Sequence, residues 1–408
     1  MPKPRVAVAM SGGVDSSLAC LLLVEQGFDV VGLTMKLVAA PPSQDDPVAK
    51  PCCTLEMTRD AQRICCELGI PHYTVNLVEA FEEEVIARFV EDYSRGRTPN
   101  PCLVCNSKFK FGHLLHKAQQ LGAEYLATGH YVRAGEILKQ RGFIDNHILA
   151  RGSGDQYGRE EAKARILLAR GTDRGKDQSY ALYGLTQDML KHALFPLGNF
   201  TKQHVREIAA QKGIITAEKP ESQEICFVTQ GSYRTFLEER NVKMLPGLFA
   251  DTSGKVLGHH KGLAFYTVGQ RKGLGISSPY PLYVVGIDAG ENVVIVGKRN
   301  EAYSEGCYIE DLNFVMVDHL DSPVEGTCMV RYRGKEVPAT LIPLKNDLLH
   351  RGPGQVASHE QEGLASSEEA GRVLVKFDQP QFAVTPGQAL VFYRGEFVYG
   401  GGTIVKKT

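Results

Sequence analysis

Strand and helix patterns alternate through the first 130 residues, and this restricts the fold more than any other feature of the chain. Residues 5–10 (RVAVAM), 29–35 (DVVGLTM), 72–77 (HYTVNL) and 125–130 (YLATGH) read as short strands. Between them, 16–27 (SSLACLLLVEQG), 55–69 (LEMTRDAQRICCELG), 81–96 (FEEEVIARFVEDYSRG) and 114–122 (LLHKAQQLG) read as helices. Gly27 and Gly69 stand where a helix C-terminus favours glycine. Strands joined through helices run parallel, and a parallel sheet is covered on both faces. The expected fold class is therefore α/β for this part.

At 408 residues the chain is too long for one core, so two or three domains are expected. A further capped helix spans 201–213, with Thr201 at its N-cap and Gly213 beyond its end. Residues 134–175 are polar and rich in Gly and Arg, and read as an extended connection or hairpin. After about 217 no βα alternation persists. From 282 onward β-rich runs separated by turn signals indicate a small β-barrel or sandwich. The expected organisation is a catalytic domain over 1–216, a central linker domain over 217–281 and a β-barrel over 282–408. Residues 351–370 read as a solvated insertion.

A net charge of −1 excludes a globally basic protein but not a local nucleic-acid patch. Neither a signal sequence nor an apolar run of roughly 18–20 residues is evident, so a cytoplasmic protein without a membrane partner is expected. The ten cysteines should then be mostly reduced thiols, and close pairs suggest metal or catalysis before disulfides.

The stretch 6–17 (VAVAMSGGVDSS) carries the first chemistry. A strand ends at Met10, a Ser-Gly-Gly turn follows, and a helix starts near Asp15. Glycines let backbone approach an anion, and N–H groups at the helix start hold phosphate. The loop lacks the Gly-Lys-Ser/Thr ending of a Walker loop. Asp15 is a candidate magnesium contact at the phosphates. SGGVDSS resembles the pyrophosphatase loop of the ATP pyrophosphatase superfamily, whose members activate an oxygen by adenylation.

Six more stretches narrow the resemblance. They are 96–112 (GRTPNPCLVCNSKFKFG), 127–131 (ATGHY), 175–185 (GKDQSYALYGL), 221–228 (ESQEICFV), 269–276 (GQRKGLGI) and 384–393 (VTPGQALVFY). Together they resemble the bacterial tRNA-specific 2-thiouridylases, from Val6 to Val405, apart from insertions near 136–165 and 351–370. The resemblance implies ATP-dependent replacement of the wobble uridine 2-oxygen by sulfur, releasing AMP and diphosphate. It implies ATP contacts from Ala9, Met10, Ser11, Gly12, Gly13, Val14, Asp15, Ser16, Met35 and Gly129. It places Asn100, Pro101 and Cys102 against the flipped target base. It gives tRNA contacts to His130, Lys176, Asp177, Gln178, Arg331, Tyr332 and Gln388. Cys105 becomes the nucleophile and Cys226 the persulfide carrier. A sulfur-relay protein or cysteine desulfurase and a reductant are implied partners, and tRNAs for Lys, Glu and Gln the implied substrates.

Cys102 departs from the family pattern, where aspartate often precedes the nucleophile by three residues. Cys102, Cys105 and Cys226 could hold a 4Fe–4S cluster with one open iron, or trap zinc. The persulfide and cluster routes both remain compatible with the spacing. Cys20, Cys307 and Cys328 read as core packing. Cys52, Cys53, Cys65 and Cys66 suggest a second metal cluster by spacing alone, although Cys65 falls on the inner face of its helix. Two rivals are an amidotransferase-coupled synthetase, for which no glutaminase motif appears, and a non-catalytic RNA-binding module, which would need no ATP loop.

Overall fold

The computed structural model describes residues 3–38, 55–138, 142–145, 165–219, 225–228, 232–240, 242, 244–344 and 371–408. The chain forms two compact units. The first comprises Met1–Val90, Pro101–Val242 and Glu396–Val398, and the second Glu91–Asn100, Lys243–Gly395 and Tyr399–Thr408.

In the first unit, β1 (Arg5–Ala9), β2 (Asp29–Lys36), β3 (His72–Asn76) and β4 (Tyr125–Ala127) are joined by α1 (Val14–Glu25), α2 (Leu55–Glu67) and further helices. With a two-residue strand at Ala193–Leu194 they make a five-stranded sheet in the order β3, β2, β1, β4, Ala193–Leu194. Every pairing is parallel. β1 is the middle strand, with Val8 beside Gly32 on one side and Ala127 on the other. Its interior positions, Val6 to Val8, are fully buried, which is why they are small and apolar. The expected parallel α/β sheet is present.

Helix α1 is apolar on nearly all sides because it is packed on nearly all sides. Cys20 and Leu23 join Val6, Val8, Val30, Ala61 and Ile64 in one cluster. Val14, Leu18 and Ala19 join Tyr131, Leu197, Val205 and Ala209 in another. Val205 and Ala209 lie on the capped helix Lys202–Gln211, where the Thr201 hydroxyl accepts from the His204 N–H at 3.2 Å. Residues 132–138 and 142–145 pair antiparallel, as the expected hairpin requires. Most of that insertion, and residues 345–370, lie outside the described residues.

In the second unit, strands at Gly247–Asp251, Val256–His260, Tyr283–Asp288 and Val293–Gly297 form a four-stranded sheet around Phe249, Val284, Val294 and Val296. The sequence pattern grouped residues 283–297 with the barrel; their two strands pair instead with each other, and 293–296 with 248–251. Alternation marks a strand but carries no information about its partner. Six strands, from Tyr303–Phe314 to the strand starting at Phe397, form the barrel. The pairing of the first with the last, Cys307 beside Lys407 and Ile309 beside Ile404, closes it. Cys307 and Cys328 are buried in its core.

Leu18 is fully buried between α1 and the Lys202–Gln211 helix. Leu18→Ala should cost about 2–5 kcal/mol, read as a lower urea midpoint for the first unit's unfolding.

Candidate active site

The phosphate loop forms where β1 ends. Gly12 turns with φ +71°, and an added Cβ would lie 2.3 Å from the Met57 carbonyl oxygen. Only glycine allows the loop to lie so close to α2. The Ser16 hydroxyl accepts from the Ser11 N–H at 3.2 Å and donates to the Gly13 carbonyl at 3.1 Å. Gly13 caps α1 without a side chain. The first turn of α1 is therefore presented to an anion as backbone N–H groups and a helix dipole.

A cavity of about 200 Å³ opens over this loop. Ala9, Met10, Ser11, Asp15 and Ser16 form one wall, with Thr34 and Met35 at the end of β2. Met57 and Thr58 of α2, and Thr128, Gly129, His130 and Gln178, complete it with Lys110 and Leu114. Seven of the ten expected ATP residues thus line one cavity. Gly12, Gly13 and Val14 shape its loop from behind. At Gly129 an added Cβ would lie 2.7 Å from the Asp15 carbonyl carbon and 2.8 Å from the Ser16 nitrogen.

Asp15 is not an open cation ligand. Lys202 Nζ donates to both its oxygens, at 2.7 and 2.8 Å, and the Tyr131 hydroxyl donates to Oδ1 at 2.6 Å. Lys202 is only 9% exposed at its side chain, so Asp15 is the counter-ion that lets it stay buried. As arranged, this single neutralised carboxylate does not fit a magnesium site. Lys202 and Tyr131 went unnoticed in the sequence because they lie 187 and 116 residues from Asp15.

The thiol segment enters through Pro101–Val104 and continues as a ten-residue π-helix, Cys105–Leu114. Such i→i+5 geometry is rare and recurs at functional sites. It places residues five apart on one face, where an α-helix would set them about 140° apart. Lys110 thus lies one π-turn beyond Cys105. Asn106 is buried and donates to the Ala181 carbonyl at 2.9 Å, which anchors the helix. Cys226 is half-buried, and its neighbour Phe227 packs edge-on against Phe81 and Phe89, with centroids 5.8 and 5.1 Å away.

Cys102 keeps exposed surface, while neighbouring protein displaces part of the water around its sulfur. Lost solvation pushes its pKa up, the Cys226 sulfur pushes the same way, and Lys110 opposes both. Cys102, Cys226 and Lys110 are therefore within electrostatic reach of one another. Among the described residues none of these three thiols forms a disulfide. Among the described residues no three His, Cys, Asp or Glu side chains converge as a metal donor set. The arrangement of Cys102, Cys105 and Cys226 in this structure does not fit a ligand set for an iron–sulfur cluster. Cys65 is buried and Cys66 exposed; Cys52 and Cys53 lie outside the described residues.

Four expected tRNA contacts have hydrogen-bond partners within the protein. His130 is buried, with its two ring nitrogens on Thr128 and Lys110. The Asp177 carboxylate accepts from the Gly171 and Ser179 N–H groups at 3.0 and 3.2 Å and sits 3.6 Å from Arg170. Gln178 exchanges hydrogen bonds with the Tyr131 backbone at 2.9 and 3.1 Å. In the second unit, the Gln388 amide donates to the Thr98 carbonyl at 2.8 Å. Polar residues in a short motif look like surface in sequence; here they satisfy buried backbone. Arg331 and Tyr332 are exposed on the barrel, and Lys176 is half-buried.

A phosphate loop at the end of the middle parallel strand, under a cavity walled in part by a thiol-bearing helix, defines a nucleotide-using α/β enzyme. Residues 4–230 match a family described as a tRNA methyl transferase HUP domain. Residues 234–298 match a tRNA methyl transferase PRC-barrel domain, and 355–404 an aminomethyltransferase beta-barrel domain. The tRNA-specific 2-thiouridylase MnmA 1 of Caldanaerobacter subterraneus subsp. tengcongensis is 45% identical over 404 residues, 99% of this chain and 98% of that one. The tRNA-specific 2-thiouridylase MnmA of Acetivibrio thermocellus is 44% identical over 405 residues, 99% of this chain and 100% of that one. The chain belongs to the tRNA-specific 2-thiouridylase family. Among the described residues no helix is long and apolar enough to cross a membrane.

Gly129→Ala should push the backbone of Asp15 and Ser16 away from the cavity. ATP affinity should fall at least about tenfold, equivalent to ~1.4 kcal/mol, in a calorimetric titration with the fold unchanged by circular dichroism.

Proposed function

We propose that the protein uses ATP to activate the 2-oxygen of a tRNA wobble uridine and replaces that oxygen with sulfur carried on cysteine. One observation carries this reading. Lys110 and Leu114, which line the cavity over the phosphate loop, lie on the same π-helix that begins at Cys105. This supports a reading in which oxygen activation and sulfur delivery share one unit.

In this reading the nucleotide lies with its pyrophosphate portion on the loop at Ser11–Ser16 and its adenine toward Met35. The uridine, flipped from its stack, rests near Asn100, Pro101 and Cys102. Its O2 attacks the α-phosphorus, the bond to the β-phosphate oxygen breaks, and pyrophosphate leaves with that electron pair. A carbonyl oxygen, a poor leaving group, has become AMP. The terminal sulfur of a Cys226 persulfide then attacks C2 and AMP departs. The Cys105 thiolate attacks the inner sulfur, the S–S bond breaks, and its electron pair stays on the sulfur now bound to C2. The products are 2-thiouridine and a Cys105–Cys226 disulfide. A thiol reductant resets the disulfide, and a sulfur-relay protein or cysteine desulfurase reloads Cys226.

Magnesium would enter on the nucleotide's own phosphates, and Asp15 would meet it only by releasing Lys202. The exposed Arg331 and Tyr332 offer a cation and a stacking face to RNA backbone and bases, with Lys176 a further phosphate contact.

The reading predicts a separation of the two half-reactions. Cys226→Ser should release pyrophosphate from ATP in the presence of tRNA at close to the wild-type rate and form no 2-thiouridine. Thiolation at normal levels by this variant would exclude Cys226 as the carrier. Cys102→Ser should retain thiolation, because Cys105 and Cys226 suffice for the exchange. Mass spectrometry of digested tRNA reads both results.

A further inference from the structure

Lys110 is the cation of this cavity that no motif singled out. Its ammonium donates to His130 Nε2 at 3.2 Å. Lysine can only donate here, so Nε2 carries the lone pair and Nδ1 carries the hydrogen. Nδ1–H then donates to the Thr128 hydroxyl at 2.7 Å. Burial, and secondarily the charge of Lys110, hold the His130 pKa well below its usual value, so the ring is neutral. Thr128 is itself buried at the end of β4, and its N–H donates to the Leu194 carbonyl at 3.1 Å. The chain from the sheet through Thr128 and His130 therefore fixes one tautomer, one ring orientation and one ammonium position.

Among the described residues Lys110 has no carboxylate partner, and its hydrogen bond goes to that neutral ring. Among the described residues no carboxylate cancels its charge at the cavity wall. Lys202, the other lysine near the loop, is already neutralised by Asp15. Position decides what Lys110 meets. In the ATP-dependent reading above, the loop takes the pyrophosphate and Met35 the adenosine, and Lys110, which lines the same cavity from the thiol helix, would face the α-phosphate between them.

We propose that Lys110 is a catalytic residue that stabilises the negative charge on the α-phosphate during uridine adenylation, and that His130 is a positioning residue acting through it. The proposal rests on the ATP-dependent reading above and adds to it the group that acts at phosphorus. As the uridine O2–phosphorus bond forms and the bond to pyrophosphate breaks, charge gathers on the non-bridging oxygens. A preorganised ammonium is worth more there than in water. The proton lost from uridine N3 passes to solvent.

The test is single-turnover pyrophosphate release from ATP with an unmodified tRNA transcript bearing a wobble uridine. Lys110→Met should bind ATP within about threefold of wild type, keep its melting temperature, and release pyrophosphate about 100-fold to 1000-fold more slowly. Lys110→Ala should behave likewise and regain part of the rate with added methylammonium. His130→Leu should lose about tenfold in rate with little change in the apparent KM for ATP, and His130→Asn should recover much of it. In the double variant Lys110→Met/His130→Leu, the histidine loss should vanish, because it acts only through the lysine. Additive losses would overturn the positioning role. Normal pyrophosphate release by Lys110→Met would overturn the catalytic one, including the case where only the later sulfur step fails. If the wild type itself releases no pyrophosphate, the underlying ATP reading fails instead.

Discussion

The first unit depends on how β1 ends. Between Val6 and Val8 this strand has parallel partners on both sides, so its backbone is committed there and its side chains are buried. The chain must leave it by a turn tight enough to start α1 over the same sheet. Gly12 makes that turn under α2, at a distance no side chain would tolerate. The consequence is electrostatic: α1 begins with uncapped N–H groups at the edge of a cavity. A fold requirement and an anion site are the same few atoms. Gly129 repeats the logic from β4, since its missing Cβ lets one loop lie against the backbone of the other.

This explains what was legible in the sequence. The alternation of strand and helix, the glycine-closed helices and the phosphate loop are local, and each appears in the structure where the pattern put it. Thr201 is a cap because a hydroxyl before a helix can do little else as usefully. The cavity-lining role of Met35 came only through resemblance, because an apolar residue at a strand end usually signals packing. The partners of Asp15 were invisible. Nothing near residue 15 announces that Lys202 and Tyr131 will converge on it after folding.

The inward-turned polar residues follow one rule. Asp177 and Gln178 supply side-chain acceptors and Gln388 a side-chain donor, and loops beside a buried sheet have backbone groups left to satisfy. Asp177 takes two N–H groups and stands beside a nearly buried Arg170; Gln178 ties the Tyr131 backbone at both ends. Recognition motifs and internal clamps use the same residue types. Burial separates them, and burial is set by the tertiary fold. The π-helix hides information in another way. Read with an α-helical period, Lys110 falls away from Cys105, and it stands out only once the wider turn is known.

The thiol at position 102 bears on the same lysine. Lost solvation and the Cys226 sulfur raise the Cys102 pKa, so at neutral pH this side chain carries no charge. An aspartate at this place would be ionised and within electrostatic reach of Lys110. It would draw the ammonium toward the thiols and cancel part of its charge. With an uncharged cysteine there, the hydrogen bond that holds Lys110 among the described residues is the one to neutral His130. On the role proposed for Lys110, the residue at position 102 therefore bears on the activation step as well as on the count of sulfurs.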